Sequence, residues 1–74
     1  MNAKRDKRVL SAFGQNLRRL RLSKGLTQEA LEFEAGISKN VVGNIERGEA
    51  NPTFTTIKAL AEALNIQISD LVDF

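Results

Sequence analysis

Residues 26–48 read Leu-Thr-Gln-Glu-Ala-Leu-Glu-Phe-Glu-Ala-Gly-Ile-Ser-Lys-Asn-Val-Val-Gly-Asn-Ile-Glu-Arg-Gly, two short helical stretches hinged at Gly36-Ile37-Ser38. A brief turn holding a glycine between two helices is the sequence mark of a helix-turn-helix. Thr27 is a good N-cap for the first stretch, and Gln28 and Glu29 fall in its first turn, where acceptors suit the helix dipole. Gly36 ends that helix, Ile37 plugs the angle, and Ser38 caps a second helix from Lys39 to about Arg47, closed by Gly48. Val42 and Ile45 form its inward pair.

Upstream, Leu10, Phe13, Leu17 and Leu20 recur as one face of an α-helix that stops near Lys24, before Gly25. Arg18 and Arg19 fall away from that stripe, and Arg21 sits at its edge. Downstream, the loop Glu49-Ala50-Asn51-Pro52 leads to Thr53, which caps a fourth helix with Ile57, Leu60, Ala61 and Leu64 on one face. Asn65 ends it, and Ser69 caps a last turn carrying Leu71 and Val72. Nothing alternates with a period of two for long enough to make a strand. The pattern predicts an all-α fold of five helices: a single helix-turn-helix domain over 9–74 behind a basic extension, 1–8.

Seventy-four residues allow one small domain. No cysteine and no histidine occur, so disulfides and the usual zinc ligand sets are excluded, and with them most nucleophiles and bases. Neither catalysis nor a metal or other cofactor is expected. The longest apolar run is too short to cross a bilayer, and Met1-Asn2-Ala3-Lys4 opens no signal peptide, so a soluble cytoplasmic protein is expected. Charge is split along the chain. Residues 1–24 carry eight basic side chains against Asp6 alone, whereas 25–74 carry Lys39, Arg47 and Lys58 against eight acids. Such a basic segment suits a polyanion, either nucleic acid or an anionic membrane.

The residues Leu26-Thr27-Gln28-Glu29, Ala35-Gly36-Ile37-Ser38, Val42, Ile45-Glu46-Arg47-Gly48 and Asn51-Pro52 resemble the Cro/repressor-type (Xre-like) helix-turn-helix family, without gaps, over roughly 10–72. Phe13-Gly14-Gln15-Asn16-Leu17-Arg18 and the short C-terminus are similar to controller proteins of restriction–modification systems. The resemblance implies a lambda-repressor-like five-helix domain that binds double-stranded DNA as a homodimer on a two-fold-symmetric operator. It places Thr27 and Gln28 at the phosphate backbone, and Ser38, Lys39, Asn40, Val41, Gly43 and Asn44 on the exposed face of helix three. Lys can donate to guanine, Asn can pair bidentately with adenine, and Val can touch a thymine methyl. Arg47, near a helix end, reaches phosphate or satisfies the helix dipole.

Two residues depart from the family pattern. Glu32 stands where a small residue is usual, at the crossing of helices two and three, and needs a partner or an escape to water. Gly43 sits inside the recognition helix at a cost of ~1 kcal/mol relative to Ala. The likeness also sets Glu46 opposite Arg21, which predicts an ion pair tying helix one to helix three. Ile68 and Phe74 have no inward place once Ile66, Leu71 and Val72 complete the core, and are expected at a dimer interface. The resulting expectation is a small transcriptional regulator without a membrane partner or small-molecule effector. The alternative is an antitoxin-like or partner-binding module whose DNA binding is autoregulatory.

Overall fold

The computed structural model describes residues 3–74, which form α1 (Ala3–Ser23), α2 (Gln28–Ala35), α3 (Val41–Glu46), α4 (Phe54–Leu64) and α5 (Ile68–Leu71). Each helix contributes to one core: Phe13 and Leu17, Leu31, Val42 and Ile45, Leu60 and Leu64, and Leu71. The basic extension continues helix one: α1 runs through residue 8 and carries the basic residues in its first turns.

Local chemistry explains most of the boundaries. Thr27 Oγ1 accepts from the Ala30 amide at 3.0 Å and Thr53 Oγ1 from the Thr56 amide at 3.2 Å, each satisfying a helix-start donor. Gly36 and Asn65 leave α2 and α4 in the left-handed conformation, with φ of 67° and 56°. The last helix departs from expectation: its N-cap is Gln67, not Ser69. The cause is Asp70, whose carboxylate accepts from the Gln67 amide at 3.0 Å and so closes the turn two residues earlier.

The C-terminal packing also corrects two expectations. Val72 is 47% exposed rather than part of the core. Ile68 is half-buried and packs against the core, so it is not left over. Phe74 is exposed on one side and sets its ring edge-on to Phe13, with centroids 6.1 Å apart. Asn16, buried on α1, fixes this end of the molecule. Its amide donates to the carbonyls of Asp70 at 3.0 Å and Leu71 at 2.8 Å, partnering oxygens that the end of α5 leaves without intrahelical donors.

Candidate nucleic-acid interface

The helix-turn-helix is held together by two buried carboxylates. Glu32 resolves its own anomaly: its Oε2 accepts from the Val42 amide at 3.0 Å, so a side chain of α2 caps the first turn of α3. Ser38 therefore does not cap helix three, and the helix begins at Val41 rather than Lys39. Asn40 is the N-cap residue, in the left-handed region at φ 74°, which Asn tolerates better than most residues. Lys39 and Asn40 thus stand in the turn that leads into α3, ahead of its first residue.

Glu46, at the end of α3, anchors the other side. Arg21 Nε lies 2.7 Å from Glu46 Oε2 and Arg21 Nη2 lies 3.0 Å from Oε1, a two-pronged pair with side chains only 6% and 3% exposed. Arg21 Nη1 donates to the Leu26 carbonyl at 2.7 Å, so one guanidinium joins α1, the α1–α2 turn and α3. The hydrogen bonds to Glu46 hold Arg21 above its ordinary value against the opposing effect of burial, and the charge of Glu46 adds to them. Because the folded value is the higher one, this contribution to stability persists through neutral pH and is lost only above the ordinary arginine range. Gln28 Nε2 also donates to Glu46 Oε1, at 3.0 Å.

Thr27, Ser38, Lys39, Asn40 and Arg47 are exposed, and Gln28, Val41 and Asn44 are half-buried. Gly43, expected on the exposed face, is buried instead. Its place is covered by the side chains of Gln28 and Arg47, whose ends would lie 3.2 and 3.1 Å from a β-carbon there. Arg47 is held in turn by Glu49, at 3.2 Å from Nε, and by Asn44 Oδ1, which accepts from Nη2. At the far end of α3, Ser11 of α1 touches the Gly48 turn, and Lys4, Lys7 and Arg8 line an open groove beside it. The basic start of α1 therefore runs past the C-terminal end of α3. Arg19 lies toward the other end of α1, donating to Asn16 Oδ1 at 2.7 Å near α5.

The residues that sequence reasoning passes over are Gly14, Asn16 and the Gln28–Glu46 contact. Gly14 lies where α1 crosses the end of α3. A glycine inside a helix that otherwise favours larger residues is a usable signal of that close approach.

The HTH_3 helix-turn-helix family matches residues 17–71. The crystal structure of the restriction-modification controller protein C.AhdI from Aeromonas hydrophila is similar with a TM-score of 0.82 and 47% identity, over 84% of this chain and 94% of that one. An HTH_3 family transcriptional regulator from Vibrio cholerae is similar with a TM-score of 0.85 and 35% identity, over 92% of this chain and 38% of that one. Control protein C.BamHI from Bacillus amyloliquefaciens is 41% identical over 63 residues, covering 84% of this chain and 78% of the relative.

Proposed function

The chain belongs to the HTH_3 helix-turn-helix family, as a DNA-binding transcriptional regulator rather than an enzyme, and from that premise we propose that it acts as a homodimer on a palindromic operator. The observation that carries this reading is the surface at the start of α3. Lys39 and Asn40 are exposed there, on a turn fixed by the Glu32–Val42 hydrogen bond, and Asn44 and Arg47 follow along the same helix. That is the end of a recognition helix that meets base edges in the major groove. Lys39 supplies a donor for guanine, Asn40 and Asn44 supply amides suited to adenine, and Val41 supplies a methyl surface. Ser38 and Thr27 supply hydroxyls for phosphate oxygens, joined by the free amides at the start of α2.

Residues 25–50 carry Lys39 and Arg47 against five glutamates, so no broad positive field covers this motif. The long-range attraction to DNA comes from the first turns of α1, which lead into Ser11 at the Gly48 turn. Dimerisation uses the C-terminal end, where Val9, Phe13, Pro52, Val72 and Phe74 line an apolar groove. Phe74 stays in this interface, and Ile68 borders it from its half-buried position. The two recognition surfaces then stand ~34–36 Å apart, one turn of DNA. The protein works in the cytoplasm, as a regulator whose readout is the operator alone.

Selection of bound sites from a random DNA pool tests the reading. Recovery of a two-fold-symmetric sequence with half-sites one turn apart supports it, and recovery of no shared sequence contradicts it.

A further inference from the structure

The amide of Gln28 has a forced orientation. Glu46 offers only acceptors, so the NH2 group of Gln28 must face it, and the carbonyl Oε1 must point the other way. That oxygen lies over Gly43, 3.2 Å from where a β-carbon would stand. Nη1 of Arg47 lies 3.1 Å from the same point. The guanidinium is itself fixed, with Nε on Glu49 and Nη2 on Asn44, which leaves Nη1 as its unused donor nitrogen. Neither Gln28 Oε1 nor Arg47 Nη1 has a hydrogen-bond partner among the described residues.

From this geometry we infer that Gln28 Oε1 and Arg47 Nη1 act together, beside Gly43, as an acceptor–donor pair that reads one adenine of the operator. Adenine shows the complementary pair in the major groove, the N6 amino donor beside the N7 acceptor. Guanine shows two acceptors there, so its O6 would face the Gln28 oxygen and be repelled. A carbonyl oxygen is equally unsuited to phosphate, so this atom of Gln28 contributes specificity, while the second N–H of its NH2 group can still meet the backbone. Gly43 is required because a β-carbon would crowd both groups, at 3.1 and 3.2 Å. Its nearest neighbours are flexible side-chain ends and not backbone, so the substitution displaces the reading pair without breaking the fold.

The inference rests on the proposed docking of α3 in the major groove. It is tested on the operator selected by the wild-type protein, in which each adenine is replaced singly by 7-deazaadenine, which lacks the N7 acceptor, or by purine, which lacks the N6 amino group. At one adenine of each half-site both replacements should weaken binding, together by about five- to 150-fold, the range of a good bidentate contact. The 7-deaza effect there should vanish in Arg47→Ala, and the purine effect in Gln28→Ala. Gly43→Ala should melt no lower than wild type, yet lose most of the preference for adenine over guanine at that position alone. A Gln28→Ala protein that weakens on all sequences alike, with a shallower salt dependence, would overturn the inference in favour of a phosphate contact. So would a Gly43→Ala protein with unchanged preference. If Lys39, Asn40 and Asn44 variants also left sequence preference untouched, the docking of α3 itself would be wrong. If those variants shifted preference and the Gln28 and Arg47 variants did not, only the pair would be.

Discussion

Gly14 of α1 meets the carbonyl oxygen of Ile45 so closely that a β-carbon would overlap it, and the same β-carbon would stand 2.8 Å from the Glu46 carbonyl oxygen. Both neighbours are backbone at the end of α3, pinned by Arg21 one side chain away, so neither can yield. Gly14→Ala should therefore destabilise the protein by at least ~1–3 kcal/mol, the usual cost of overpacking, despite the better helix propensity of alanine. Urea unfolding followed by circular dichroism checks this. Wild-type stability in the variant would mean that α1 and α3 do not cross so closely.

Arg21 and Glu46 are both deeply buried and bonded to one another at two points. Removing one leaves an uncompensated charge inside, at a cost of ~3–5 kcal/mol. Arg21→Ala should accordingly unfold much of the population at room temperature, since a domain of this size has little stability to lose. Replacing both residues by apolar ones of similar volume should recover part of the loss. A single variant that melts like wild type would show the pair to be dispensable.

Asn16 places two hydrogen bonds on the last carbonyls of α5. Asn16→Leu keeps the bulk and removes both donors, leaving buried acceptors unpaired at ~1–3 kcal/mol each at most. The damage should be local first: faster amide exchange in 68–72 than elsewhere, and weaker self-association, because Val72 and Phe74 flank the released turn. Exchange that rises uniformly across the chain would contradict this assignment.

The basic residues of α1 are not equivalent. Lys7 and Arg8 lie one turn before Ser11, which meets the Gly48 turn after α3, whereas Arg19 is engaged with Asn16 beside α5. Lys7→Ala and Arg8→Ala should weaken specific and random DNA alike and lower the salt slope by roughly 0.9 for each phosphate left without its cation. Arg19→Ala should leave that slope unchanged. Equal effects at all three positions would remove the distinction between the two ends of α1.

The helices are legible in the sequence because their signals are local. Thr27, Gly36, Thr53 and Asn65 mark helix ends by their own backbone chemistry, and the apolar stripes mark the inward faces. The start of α3 is hidden for a physical reason: its cap comes from Glu32, ten residues away, and no local rule finds a donor satisfied across a helix crossing. Periodicity puts Gly43 on the correct helix and face but does not reveal its burial, which is caused by Gln28 and Arg47 folding over it. Val72 and Ile68 exchange their expected places because Asp70 draws the last turn back to Gln67. In each case the missing information is a side chain arriving from outside the local pattern.

The most direct test of α3 as the reader of sequence is Asn40→Gly. Glycine keeps the left-handed backbone at φ 74°, and no side-chain capping bond is removed, since Asn40 makes none. The variant removes only the amide, which Asn40→Ala would not do cleanly. Binding is measured to the selected operator and to random DNA at one salt concentration. The affinity for the operator should fall by about 1–3 kcal/mol while that for random DNA scarcely moves. Losses of equal size on both, or no loss on either, would contradict it.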